Sequence, residues 1–186
     1  MRKLPVLFVA IGALFCACSK HNAGTSYYFS FQSGAFSYSN TVDSQVLVQL
    51  SSQTGYALLI LSSTRTQQQT DSAQAGLLDL ATWDLDIVNN SPPVDDLAGT
   101  YTPDTSGTNV RRIVTNVSRF QIYTSNDPHH GQYWIVPGLP FNITVTQWTS
   151  SWFAGTFEGM ILQTNSTTNV TDTATITNGK FRLPHN

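Results

Sequence analysis

Asp84 and Asp86 alternate with Trp83, Leu85 and Ile87 in the stretch TWDLDIV. On an extended strand alternate side chains share a face, so the two carboxylates would stand about 6–7 Å apart. Glycoside hydrolysis uses two carboxyl groups about 5–9.5 Å apart, one of them held protonated by apolar surroundings. The pair therefore admits a polysaccharide hydrolase acting through paired aspartates. Nothing in the neighbouring sequence supplies an apolar pocket, and carboxylates on an outward face also solubilise a strand. A solvated face is the expectation.

Other chemistries find less. Asp127, His129 and His130 offer three potential zinc donors in the stretch SNDPHHG. Adjacent residues on one loop rarely converge on an ion, so a solvated loop without metal is expected. Asp95, Asp96 and Asp104 have no calcium-loop spacing and read as turn aspartates. No nucleophile elbow and no phosphate-cradling glycine loop is present, and no cofactor is expected. Aromatic side chains remain. Trp83, Tyr133, Trp134, Trp148 and Trp152 fall at strand ends or beside turns. Of these, Trp148, Trp152, Trp134 and Tyr133 are the candidate ligand-binding residues, able to stack on sugar rings or anchor a protein partner. Core packing is the competing role for every large aromatic.

The N-terminus says where such a site would work. Arg2 and Lys3 precede the apolar run Leu4–Phe15, and small Ala17 sits directly before Cys18. The run fits the 7–15-residue core of a secretion signal and is shorter than the roughly 20 residues of a membrane-spanning helix. Cleavage before Cys18 would leave a cysteine for lipidation. Cys16 is the rival, but it would place bulky Phe15 at the cut. The expected organisation is a signal peptide over 1–17, a lipidated cysteine and flexible tether over 18–26, and one domain over 27–186. The expected location is the cell envelope, lipid-anchored to the outer membrane.

The chain has 186 residues, 11% of them charged, and a net charge of −2. That balance offers no electrostatic footprint for nucleic acid. Both cysteines lie in the signal region, so the body has neither disulfide nor thiolate metal site. Glu158 is the only glutamate, and Lys3, Lys20 and Lys180 are the only lysines. Scarce helix formers beside abundant Thr, Val, Ile, Tyr, Phe and Trp favour strands.

Period-two alternation recurs along the chain. Tyr27, Phe29 and Phe31 share a face, and a turn at Ser33-Gly34 leads to Phe36 and Tyr38. Val46–Leu50 and Tyr56–Leu61 flank a turn at 53–55. Polar Thr64–Gln74 reads as a loop, and Ala75–Ala81 as at most two helical turns. Strands follow at 83–87, 97–102, 119–123 and 133–136. Ile143–Thr146 leads into a hairpin turn between Trp148 and Trp152, and Asn178-Gly179 reads as a further turn. Some nine or ten short strands with close turns predict an all-β, antiparallel sandwich or barrel-like single domain.

Three phrases carry a family resemblance: Gly99-Thr100-Tyr101, Gly155-Thr156-Phe157, and Ile176-Thr177-Asn178-Gly179-Lys180-Phe181. In order and spacing, and with the signal, the chain resembles uncharacterised small lipoproteins of Bacteroidota. The resemblance implies an exported all-β domain and no activity. Asp71-Ser72-Ala73 and Asp172-Thr173-Ala174 resemble the triplets that such bacteria O-glycosylate. The expectation is a non-enzymatic structural or binding module, held to the membrane by lipid, with a glycan, peptide or envelope protein as partner. The alternative is the hydrolase of Asp84 and Asp86.

Overall fold

The computed structural model describes residues 27–41, 46–53, 56–63, 67–90, 96–104, 106–125, 132–164 and 171–184. The expected signal segment, Cys18, the tether, Asp95, Asp127, His129, His130 and His185 lie outside them. Twelve strands join in one sheet: β1 (Tyr28–Ser33), β2 (Phe36–Thr41), β3 (Val46–Gln53), β4 (Tyr56–Ser63), β5 (Leu80–Asn89), β6 (Gly99–Pro103), β7 (Arg111–Ile113), β8 (Arg119–Tyr123), β9 (Gln132–Trp134), β10 (Phe141–Trp148), β11 (Trp152–Thr164) and β12 (Thr171–Pro184). The domain is all-β, but the sheet is mixed: β6 and β7 run parallel, contrary to the purely antiparallel expectation.

Polar 64–74 is not all loop. It holds α1 (Gln67–Gln74), the one helix among the described residues. Glutamine and alanine are acceptable helix formers, and Ala73 is fully buried against Leu80 and Tyr123. Gly76, at φ 72°, ends the helix. Its N–H reaches the Ala73 carbonyl at 3.0 Å and the Leu77 N–H reaches Ser72 at 2.9 Å, the paired bonds of a Schellman end.

The Asn178-Gly179 turn is also corrected. β12 runs straight through it. Asn178, at φ 53°, is instead a bulge, and both neighbours slip register there: Ser30 faces Lys180 but Gln32 faces Thr177, while Phe157 faces Gly179 but Gly159 faces Ile176. The Asn178 side-chain amide donates to Gln32 Oε1 at 2.7 Å across the bulge. Asparagine tolerates the left-handed region, and a bulge uses that freedom as readily as a hairpin turn does.

β5 and β11 organise the sheet, because each shares one edge between two partners. On β5, residues 80–84 pair with β8 and residues 87–89 with β7. On β11, residues 153–159 pair with β10 and Leu162 with β9. Strands β5, β8, β9, β11, β10, β6 and β7 thereby close a ring. β4 and β3 extend from the other edge of β5, and β12, β1 and β2 from the other edge of β11. Where β5 passes from β8 to β7, the Asp86 N–H is taken by Ser118 Oγ at 3.0 Å and its carbonyl by the Val114 N–H at 2.9 Å. Ser118 is completely buried, and its carbonyl accepts the Ile135 N–H at 2.9 Å.

Aromatic rings fill the interior. Phe29 stacks on Trp83 at 3.8 Å and on Phe157 at 4.8 Å. Phe31 meets Phe120 edge-on at 5.5 Å. The first strand is thus packed against β5, β8 and β11. In the β11–β12 ribbon, Gly155 faces Phe181 and Phe157 faces Gly179. A Cβ at Gly155 would collide with the Phe181 ring and the Thr144 carbonyl, and one at Gly179 with Phe157. Each ring fills the space that the opposite glycine leaves. Gly155→Ala and Gly179→Ala should each cost about 1–3 kcal/mol through overpacking, read as a lower urea midpoint at unchanged slope. Phe181→Leu should recover part of the Gly155→Ala loss.

Candidate functional site

Strands β5, β8 and β9 present an outward face built by simple alternation. Trp83, Leu85, Ile87, Phe120, Ile122 and Tyr133 point inward and are buried. Thr82, Asp84, Asp86, Arg119, Gln121, Gln132 and Trp134 take the other face. The register sets them in rows: Asp84 opposite Arg119 and Arg119 opposite Trp134, then Thr82 opposite Gln121 and Gln121 opposite Gln132.

Arg119 is held from two sides. Its Nη2 lies 3.7 Å from the Asp84 carboxylate, and its guanidinium carbon sits 5.3 Å above the Trp134 ring. Both members of the ion pair are well exposed, 41% and 38%, so the pair adds little stability and serves mainly to orient the guanidinium. Beside it opens a depression of about 260 Å³, lined by Ser62, Thr82, Asp84, Arg119, Gln121 and Gln132 among others. The Gln121 amide donates to the Tyr123 hydroxyl, which fixes its orientation. On the wall of the depression, Ser63 Oγ accepts the Trp83 backbone N–H at 3.0 Å.

Asp86 follows Asp84 on the same face, outside that lining. Burial first, and the Asp84 charge second, push its carboxyl above the usual aspartate range. The two carboxylates are thus unequal in setting: one is paired with a cation in an open depression, the other half-buried beside the strand seam.

The four candidate aromatics separate. Tyr133 is 1% exposed and belongs to the core. Its ring contributes to the floor of a second depression of about 430 Å³, with Phe36, Ile122 and Ala174, rather than to a surface patch. Trp148 packs on Phe153 at 5.4 Å and on the core. Trp152 is half-buried beneath the Arg182 guanidinium at 4.0 Å. The hairpin expected between these two tryptophans is present, closed by a Thr149 N–H to Trp152 carbonyl bond of 3.0 Å. Of the four, only Trp134 comes near the polar depression, through Arg119, which lines it and lies over the Trp134 ring. It pairs with Leu162, ten positions along β11 from Trp152, a separation of about 33 Å at strand rise. One sugar ring cannot bridge Trp134 and the hairpin tryptophans.

The strand expected over 119–123 contains Arg119 and Gln121, but the sequence does not bring them to Asp84 or Trp134. Cross-strand register does that, and no local spacing encodes it. A further cluster was also missed. Tyr101 is buried and donates from its hydroxyl to the Leu97 carbonyl at 2.8 Å, and burial pushes its pKa up to about 12 against the opposing pull of Arg111. Gly99, at φ 143°, leaves room for the Arg111 side chain to cross its backbone. Of the two glycosylation-like triplets, Asp172 and Thr173 are exposed on β12, whereas Ala73 is on the buried side of α1. Among the described residues, no three His, Cys, Asp or Glu side chains gather as a metal site, and no helix is long and apolar enough to cross a membrane.

The described residues thus define an all-β domain with one polar, tryptophan-flanked depression on its outer face. No protein-family model, no curated protein and no solved structure matches this chain.

The Asp86 environment has a consequence for stability. A carboxyl whose folded pKa is raised binds its proton more tightly when folded, so stability falls as pH rises above 3.8, the ordinary value. Asp86→Asn should therefore stabilise the domain near about pH 7, with the gain disappearing once the pH drops below the ordinary carboxyl range. Urea unfolding of both forms across that pH range checks it.

Proposed function

We propose that this chain is an exported cell-envelope lipoprotein, anchored through Cys18, whose barrel-like domain binds a glycan and does not turn it over. The Arg2–Cys18 sequence supports the anchor. The observation that carries the binding function is the Asp84–Arg119–Trp134 row with Gln121 and Gln132 beside it. Carboxylate, guanidinium and amides are planar groups that satisfy adjacent sugar hydroxyls, and a tryptophan ring supplies apolar contact for the sugar's carbon face. Because register and ion pairing already orient these groups, little side-chain ordering remains to oppose binding.

Tryptophan fluorescence of soluble Ser19–Asn186, titrated with envelope and plant polysaccharide fragments, tests the reading. A saturable shift should appear. Trp134→Ala and Asp84→Ala should each weaken binding about tenfold, roughly 1.4 kcal/mol, whereas Trp148→Phe should leave it unchanged. A flat response across the panel overturns the glycan assignment. The raised pKa of Asp86 favours a second reading, hydrolysis through Asp84 and Asp86. Release of reducing ends, abolished by Asp86→Asn, would establish that reading in place of simple binding. Incorporation of labelled palmitate, lost in Cys18→Ala and retained in Cys16→Ala, is the expected outcome for the anchor.

A further inference from the structure

The outward face where β1, β12 and β11 meet carries a different chemistry from the depression. Tyr28 is opposite Arg182, Arg182 is opposite Ala154, and Trp152 is opposite Pro184. The inward neighbours Phe29, Phe181, Leu183 and Phe153 are all buried, which leaves Tyr28, Arg182 and Trp152 on the outer side. The Arg182 guanidinium carbon lies 4.0 Å from the centre of the Trp152 ring, and its Nε is buried with no hydrogen-bond partner. Exposed Lys180 continues the same face two residues back. Among the described residues no carboxylate pairs with Arg182 or Lys180. Two cations and two amphipathic aromatics therefore share one small surface, on a chain whose net charge is −2.

That surface lies where the polypeptide enters the domain. Tyr28 begins β1, and Tyr27 beside it packs on the core. Cys18 is nine residues before Tyr27 in the sequence, and nine residues span at most about 30 Å. A lipid on Cys18 would hold this end of the sheet against the bilayer at high effective concentration. Tryptophan and tyrosine settle at the headgroup level, and lysine and arginine there are drawn to anionic lipid.

We infer that the Tyr28–Arg182–Trp152 face, with Lys180, docks on the phospholipid headgroups of the anchoring membrane. This rests on the lipid anchor at Cys18 proposed above. Docking there fixes the orientation of the domain: along β11, Trp134 is about 20 Å from the Lys180 row and about 33 Å from the Trp152 row, on the side away from the bilayer.

The test uses the mature lipidated protein in phosphatidylethanolamine–phosphatidylglycerol vesicles, with and without brominated acyl chains. Tryptophan emission should be quenched by the brominated lipid. Trp152→Phe should lose most of that quenching, Trp134→Phe should keep it, and Arg182→Gln should reduce it, as should replacing phosphatidylglycerol by phosphatidylcholine. Arg182→Gln removes a surface charge, so it keeps the test decisive if Trp152→Phe does not fold. Quenching that is absent, or equal in wild type, Trp152→Phe and Arg182→Gln, overturns the docked face while leaving the anchor intact. Emission that follows protein density on the vesicle without any bromine effect assigns the face to a second copy and also overturns the proposal. A protein that carries no lipid overturns the anchor, and this inference with it.

Discussion

Two phenylalanines lying across two glycines hold the β11–β12 ribbon in register, and the rest of the sheet hangs from that ribbon. Phe157 occupies the space over Gly179, and Phe181 the space over Gly155. The rings then extend the contact inward. Phe157 stacks near Phe29 and Phe120, and Phe181 meets Phe153. A sheet of this size twists strongly, and close glycine–ring packing is one way to bring two long strands together without a void. It also gives the Gly-Thr-Phe and Gly-Lys-Phe phrases a physical meaning: each is one half of a reciprocal fit.

The seam on β5 is the second constraint. One strand edge serving two partners leaves a backbone gap, and buried backbone groups must be satisfied. Ser118 fills it with a side-chain oxygen on the Asp86 N–H. The same seam fixes the backbone of Asp86 while Asp84, two residues earlier, stays in regular pairing with Arg119. The unequal setting of the two carboxylates is thus a product of strand pairing, not of a dedicated pocket.

Much of this was legible in the residues. Alternation along 83–87 gave the faces of β5 correctly, and the turns at Gly34 and between Trp148 and Trp152 lie where their residue types put them. Three features were not legible. Arg111–Ile113 is too short to show a period, and its parallel pairing with β6 leaves no local trace. The α1 segment is almost wholly polar, so its helix rests on Ala73 meeting Leu80 and Tyr123. Asn178-Gly179 has turn chemistry, but neighbours on both sides hold the strand extended around a bulge. For the site, Asp84 was visible and its setting was not, because Arg119, Gln132 and Trp134 reach it only through inter-strand register.

The pairing of β1 with β12 joins nearly the first and the last described residues, Tyr28 with Arg182. No N-terminal portion of the chain therefore contains a complete sheet. β1 has only the β2 hairpin for company until β12 is available, and the ring cannot close before β11 is. Non-local pairing of this kind delays folding until the whole chain is present. For the export proposed above, that order is favourable, because the sheet cannot close before the β11–β12 ribbon has crossed.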